Sequence, residues 1–253
     1  MFEAAFGCAR DFTRPVLMTD PGSASKPRCG SFIVVNRSGW IITARHILED
    51  ERDGSGSFVW GWEGVSVDDV LFDSESDIAV GRLTPFDGDW VTDYPAFSNS
   101  GKALMGMTVG RIGYNMDRGD DAASAGAFGN CGIVSQEFSE SGTRMFVTST
   151  PGISGQSGGA VFDRDGVIFG MQVATRLTDT GYRYINDDGA AATMTSCEGI
   201  AVHVDSMRRL MDAAGIPYRI GRPPRSSMVY SSSESSKPYL MFFESRNSLM
   251  VFT

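Results

Sequence analysis

The sequence is poor in histidine, in cysteine, in basic charge and in long apolar runs, and each shortage excludes something. Only two histidines, His46 and His203, occur among 253 residues, so chemistry that needs an imidazole base has two candidates. The four cysteines, Cys8, Cys29, Cys131 and Cys197, are too few and too widely spaced for a disulfide framework or a zinc site. Two bridges remain open, but free, partly buried thiols are the expectation. Lys and Arg together number 22 against 31 Asp and Glu, a net charge of -9. That balance argues against a nucleic-acid partner, which would require a basic face. No run reaches the ~20 consecutive apolar residues that span a bilayer. The first residues, Met1 to Asp11, have neither a basic start nor a long apolar stretch, so no secretory signal is visible. A cytoplasmic location is favoured over removal of a leader.

Glycine is abundant instead. Thirty glycines, with 42% apolar and 21% charged residues, suit a globular chain of many turns and short strands. The length permits one large β domain or two small ones, with a core that needs no disulfides. Ser31–Val35 and Trp40–Thr43 flank the turn Asn36–Gly39 and predict a hairpin that leads directly to His46. Short apolar runs then recur over 57–62, 70–72, 78–83 and 105–112, separated by Gly, Asp, Asn or Ser. Residues 115–130 are small and polar and predict a surface loop. Further strands are expected at 132–135, 145–148, 160–162 and 167–170, so each half supplies its own set. The pattern predicts an all-β protein, a barrel or sandwich. One helix stands out: Asp205 or Ser206 can cap it, Met207, Leu210, Met211 and Ala214 give it an apolar face, and Gly215 and Pro217 end it. Residues 221–253 read as a serine-rich linker and two apolar runs, which either pack back on the domain, pair with a partner or act as an auto-inhibitory segment.

The chemistry gathers at three places. Ser157 lies on a glycine-rich turn, Gly152-Ile153-Ser154-Gly155-Gln156-Ser157-Gly158-Gly159. A serine hydroxyl is a weak nucleophile at neutral pH and needs a base, which needs an orienting partner. His46, at the end of a predicted strand, can be that base; read alone it is as readily a packed or surface histidine. Asp77, directly before Ile78-Ala79-Val80, can be the orienting carboxylate, although Asp73 and Glu75 lie close enough to be confused with it. Gly155 and Ser157 can offer backbone N–H groups to a reacting carbonyl oxygen. The order His, Asp, Ser is that of chymotrypsin-like proteases.

These residues carry a resemblance. From about Gly30 to Gly215 the chain resembles the trypsin/chymotrypsin superfamily, and most of all its HtrA (Deg) branch. The segments are Ser31 through Ile47, Asp73 through Val80, Val109 through Asn115, Gly170 through Thr175, and Gly199 through Val202 with the helix after it. The resemblance implies two six-stranded Greek-key β-barrels, a chymotrypsin-like double barrel, with a C-terminal helix. On that reading the peptidase domain spans residues 1–220, with one barrel at about 20–100, a second at about 101–204 and the helix at about 205–214. It implies a serine endopeptidase that needs no cofactor or metal and acts on a protein or peptide substrate, with His46, Asp77 and Ser157 as triad. A latent protease awaiting a regulatory partner, and a silent scaffold of the same fold, are the alternatives.

Several residues depart from the family pattern. Gln156 stands where digestive proteases carry an aspartate that pairs with a new N-terminus, so activation by N-terminal cleavage is not expected. Arg45 occupies the usual alanine slot beside the histidine. Pro151, six positions before Ser157, is not acidic, so a preference for Arg or Lys has no support. Pro151, Gly152 and Ile153, facing Gln172, Val173 and Ala174, imply a pocket for a small or apolar side chain. His203 has two readings: a pocket residue that selects acidic or Gln side chains, or a solvent-facing residue at the helix start. The residues after Gly215 are too few for a PDZ-like domain.

Overall fold

The computed structural model describes residues 2–18, 28–49, 58–59, 65–89, 91–99, 105–115, 126–186 and 189–221. Strands β1 (Thr13–Met18), β2 (Arg28–Val34), β3 (Trp40–Thr43), β4 (Phe58–Val59), β5 (Ser66–Phe72) and β6 (Ala79–Thr84) build one antiparallel sheet. Its order is β4-β1-β2-β3-β6-β5. The predicted hairpin is there: Phe32 pairs with Thr43 and Val34 with Ile41. Gly39 takes a positive φ of 81° in its turn, a conformation that glycine adopts without steric cost. Phe32, Ile33, Val34, Ile41 and Ile42 are all buried, so these strands are covered on both faces.

The second sheet holds β7 (Ala96–Phe97), β8 (Thr108–Asn115), β9 (Gly126–Glu140), β10 (Thr143–Thr148), β11 (Ala160–Phe162), β12 (Ile168–Ile185), β13 (Ala191–His203) and β14 (Arg219–Ile220). Its order is β11-β8-β9-β10-β13-β12-β7-β14, and β11 also pairs with β12, which closes six of its strands into a barrel. The short strands β7 and β14 add in parallel at the edge. This is the double-barrel, chymotrypsin-like architecture that the sequence led us to expect. Helix α3 (Val204–Ala213) follows β13 and buries Met207, Leu210 and Met211 against the barrels.

Four local expectations need revision. A helix, α1 (Glu3–Phe12), precedes the first sheet. Ala5, Ala9 and Phe12 form its buried stripe, and the ring of Phe6 meets that of Phe162 edge-on at 5.1 Å. The first sheet begins at Thr13 rather than near residue 20. Residues 126–130 are not loop: Ile112 pairs with Gly129 and Tyr114 with Ala127, because two small residues on β9 let it lie flat against β8. Residues 116–125 of that expected loop, and 222–253 of the tail, lie outside the described residues. The strand expected at 167–170 runs on to Ile185 and returns as β13, a long hairpin whose outer part leaves Leu177, Tyr182, Tyr184 and Ile185 exposed.

None of the four cysteines forms a disulfide. Cys131 is exposed, and the other three are half-buried.

Candidate active site

His46 sits on a single helical turn, α2 (Arg45–Leu48), that begins where β3 ends. Ile47 and Leu48 are buried and fix the turn, while the imidazole faces outward. Asp77 lies on the loop that enters β6. Its Oδ2 meets His46 Nδ1 at 2.6 Å, and its Oδ1 accepts from the His46 backbone N–H at 2.9 Å. One carboxylate thus holds both the ring and the backbone of the histidine. Donation of the Nδ1 proton to Asp77 leaves Nε2 as the nitrogen free of the proton.

The two neighbouring acids are engaged elsewhere. Asp73 is 6% exposed. Its Oδ1 accepts from the N–H groups of Glu75 and Ser76, at 2.8 and 3.2 Å, and Arg209 donates to Oδ2 at 3.1 Å. Burial acts to raise the Asp73 pKa, but the N–H donors and the Arg209 guanidinium outweigh it and hold the group below the usual carboxylate range. Glu75 pairs with Arg209 at 3.0 Å. Arg45 turns from the site: it pairs with Glu49 at 2.6 Å and lies over the ring of Phe72.

Ser157 lies two residues after Gly155, whose φ of +85° turns the chain at that point. Gly158, at φ +84°, is packed so closely that a Cβ there would fall 1.9 Å from the Ser31 carbonyl oxygen. Ser31, on β2 of the first sheet, clamps this turn. Its N–H donates to the Ser157 carbonyl at 2.7 Å, and its Oγ donates to the Gly155 carbonyl at 2.7 Å. The N–H groups of Gln156, Gly158 and Gly159 donate to Ile153, Gln172 and Gln156 carbonyls. Those of Gly155 and Ser157 have no acceptor among the described residues. The Ser157 hydroxyl donates to the Val173 carbonyl at 3.4 Å, a weak bond. Gln156 is fully buried; its Oε1 accepts from the Ile153 N–H and its Nε2 donates to the Phe128 carbonyl, so it braces the turn.

Pro151, Gly152 and Ile153 run opposite Gln172, Val173 and Ala174 beside Ser157. Thr175 Oγ donates to the Gly152 carbonyl at 3.0 Å. Behind this cleft lies Arg111, which sequence reading passed over; the signal was a lone charge inside the apolar strand Val109–Ile112. It is 2% exposed. Nε donates to Asn130 Oδ1, Nη1 to Gln172 Oε1 at 2.6 Å and to Thr148 Oγ1, and Nη2 to the Thr150 and Pro151 carbonyls. Burial pushes its pKa down to about 10.

His203 does not face the cleft. It is fully buried between Phe146 and Phe169 and is the N-cap of α3, its Nδ1 accepting from the Asp205 N–H at 3.1 Å. Both readings from sequence are therefore corrected: it is neither a pocket residue nor solvent-facing, because the last barrel strand delivers it into the core. It also takes the capping role expected of Asp205 or Ser206, and α3 starts at Val204. Burial, aided by the Arg144 charge, lowers its pKa against the opposing pull of Asp205 and Glu137.

Among the described residues no group of acidic, His or Cys side chains is arranged to hold a metal ion, and no helix is long and apolar enough to cross a membrane.

The family model described as "Trypsin-like peptidase domain" matches residues 30–171. No curated protein matches the sequence. Among solved structures, the active form of the Rv3671c protease from M. tuberculosis superposes with a TM-score of 0.59 at 14% identity, covering 86% of each chain. The HtrA-type protease AlgW with tripeptide superposes with a TM-score of 0.61 at 17% identity. That match covers 84% of this chain but 63% of the AlgW chain, so this chain spans less than two thirds of that protein's length.

Proposed function

The chain belongs to the trypsin-like peptidase family, and on that premise we propose that it is an endopeptidase using Ser157 as nucleophile, His46 as base and Asp77 as orienting carboxylate. The observation that carries this reading is the paired grip of Asp77 on His46, with the ring bond at 2.6 Å. His46 Nε2 takes the proton as Ser157 Oγ adds to the scissile carbonyl carbon. The N–H groups of Gly155 and Ser157 receive the oxyanion, a contribution of a few kcal/mol to the transition state. The tetrahedral intermediate collapses, the C–N bond breaks, and His46 returns the proton to the leaving amine. Water then repeats the sequence on the acyl-enzyme. Residues 1–220 act as one peptidase unit, and protein or peptide is the substrate. A small or apolar P1 side chain is the preference that Pro151, Gly152 and Ile153 support.

A second reading has its own observation. Ser157 Oγ is turned to the Val173 carbonyl, so the hydroxyl must rotate before His46 can take its proton. Such loose geometry is common in unliganded proteases, and it also suits a latent enzyme that a partner completes.

Incubation with an unstructured protein substrate tests the function. Wild-type chain should release internal fragments, and Ser157→Ala should release none. Identical fragments from Ser157→Ala would contradict the proposal.

A further inference from the structure

The three residues of the proposed triad do not share a barrel. His46 and Asp77 belong to the first, and Ser157 to a turn of the second. Both Asp77 oxygens are turned to His46, so the carboxylate is placed by the backbone of its loop, residues 73–78. That loop closes on itself. The Asp73 N–H donates to the Ile78 carbonyl at 3.0 Å, and the Ile78 N–H to the Ser76 carbonyl at 2.8 Å. The buried Asp73 carboxylate is its hub, accepting from the Glu75 and Ser76 N–H groups.

Three side chains reach this loop from outside it. Arg209, on the helix α3 that follows the second barrel, straddles two of its acids. Nη2 donates to Asp73 Oδ2 at 3.1 Å, and Nη1 pairs with Glu75 Oε2 at 3.0 Å. Thr143, the first residue of β10, donates its hydroxyl to the Glu75 carbonyl at 2.9 Å. Arg45, beside His46, donates through Nη1 to the Asp73 carbonyl at 3.0 Å. The Asp77 loop is thus tied once to the His46 turn and twice to the part of the chain that carries Ser157. The support behind Arg209 is firm, since α3 buries Met207, Leu210 and Met211 and is capped by the buried His203. Solvent screens the half-exposed guanidinium, so its ion pairs add little to stability. Its planar fork nevertheless fixes the direction in which the two carboxylates are held.

We propose that Arg209 is a positioning residue for the reaction: from α3 it holds the Asp77 loop in register with the second barrel, and so sets how His46 is presented to Ser157. The inference rests on the serine-peptidase reading above. Without Arg209 the Asp73 carboxylate keeps its N–H donors, so the loop stays folded. It loses its tie to α3, however, and Asp77 shifts relative to Ser157. A misplacement of about 1 Å, even from a change remote from the chemistry, costs up to about 10²-fold in rate. The signature of the role is therefore a loss of rate out of proportion to the loss of stability.

The experiment measures the second-order rate of Ser157 modification by a small alkyl fluorophosphonate, with urea midpoints on the same preparations. Such a probe has no peptide to seat in the cleft, so its rate reports activation of the serine. Arg209→Leu should slow it at least about tenfold, while moving the urea midpoint less than Asp73→Asn does. Arg209→Lys, which keeps the charge and loses the fork, should recover part of the rate. The decisive comparison is a double-mutant cycle. In an Asp77→Asn background, Arg209→Leu should change the rate by less than about twofold, because the group that it positions is already gone. If Arg209→Leu does not fold, Thr143→Val removes the other tie to Glu75 and goes through the same cycle, with a loss expected only where Asp77 is present. A smaller loss in Arg209→Leu, or an equal loss in both backgrounds, would overturn the positioning role and leave the peptidase reading standing. A folded wild-type chain with no label on Ser157 would overturn both.

Discussion

Ser31 reaches across from the first barrel and donates its hydroxyl to the Gly155 carbonyl at 2.7 Å, while its own N–H holds the Ser157 carbonyl. The turn that carries the nucleophile is therefore fixed by a residue of the opposite sheet. Ser31→Ala removes the Oγ donor and leaves a buried carbonyl without it. Stability should fall by about 1–3 kcal/mol. The kcat should fall more than KM rises, since the turn sets the Gly155 and Ser157 donors. Denaturant titration and steady-state kinetics check both; unchanged kcat would contradict the clamp.

Asp77→Asn keeps an oxygen for the His46 N–H but can no longer hold the imidazole in the required tautomer. A fall in kcat of about 10⁴-fold is expected, with an intact circular dichroism spectrum. A loss below tenfold would mean that another group orients His46.

Asp73 steadies the loop that presents Asp77. Its carboxylate pKa lies below the unfolded value, so its contribution is fully present above the unfolded pKa of about 3.9 and is lost as pH falls through the lower folded pKa. Asp73→Asn should cost about 1–3 kcal/mol at neutral pH, chiefly through the weakened bonds from Glu75 and Ser76, because Arg209 is half-exposed and screened. The gap from wild type should hold from pH 7 to about 5 and close only below about pH 4. Urea midpoints across that range test this; a gap that closes by pH 6 would exclude Asp73 as its source.

His203 acts in the same direction over a higher window. Its folded pKa is lowered, so on acidification the unfolded chain takes a proton first, near about 6.5. Stability should therefore fall as pH drops below that value, by up to about 1.4 kcal/mol per unit until the folded histidine also titrates. His203→Asn keeps a capping oxygen for α3 but does not titrate. Its stability should be flatter than that of wild type between pH 7 and pH 5. Equal slopes in urea denaturation would show that His203 does not carry the dependence.

The features legible in the sequence were those with local signatures. The hairpin before His46 showed in its alternation of turn and β-branched residues, and the Ser157 turn in its glycines. The choice of Asp77 over Asp73 rested on its place before Ile78; in the structure Asp77 lies against His46, and Asp73 is held by its own loop and Arg209. What the sequence hid was long-range. Ser31 and Gly155 are separated by 124 positions, and no pattern announces their bond. His203 was misread because burial between Phe146 and Phe169 depends on how β13 meets β10 and β12. The stripe Ala5, Ala9, Phe12 of α1 was present but weak, two of its three members being alanines. Arg111 was overlooked because a charge in a strand reads as a solvent-facing residue until a barrel closes around it.

The central claim is that Ser157 is a nucleophile activated by His46. The most direct measurement treats the folded chain with a fluorophosphonate and maps the adduct by peptide mass spectrometry. The account predicts one adduct, on Ser157, lost in Ser157→Ala and strongly slowed in His46→Ala. A folded chain that stays unmodified, or a label that persists in Ser157→Ala, would contradict it.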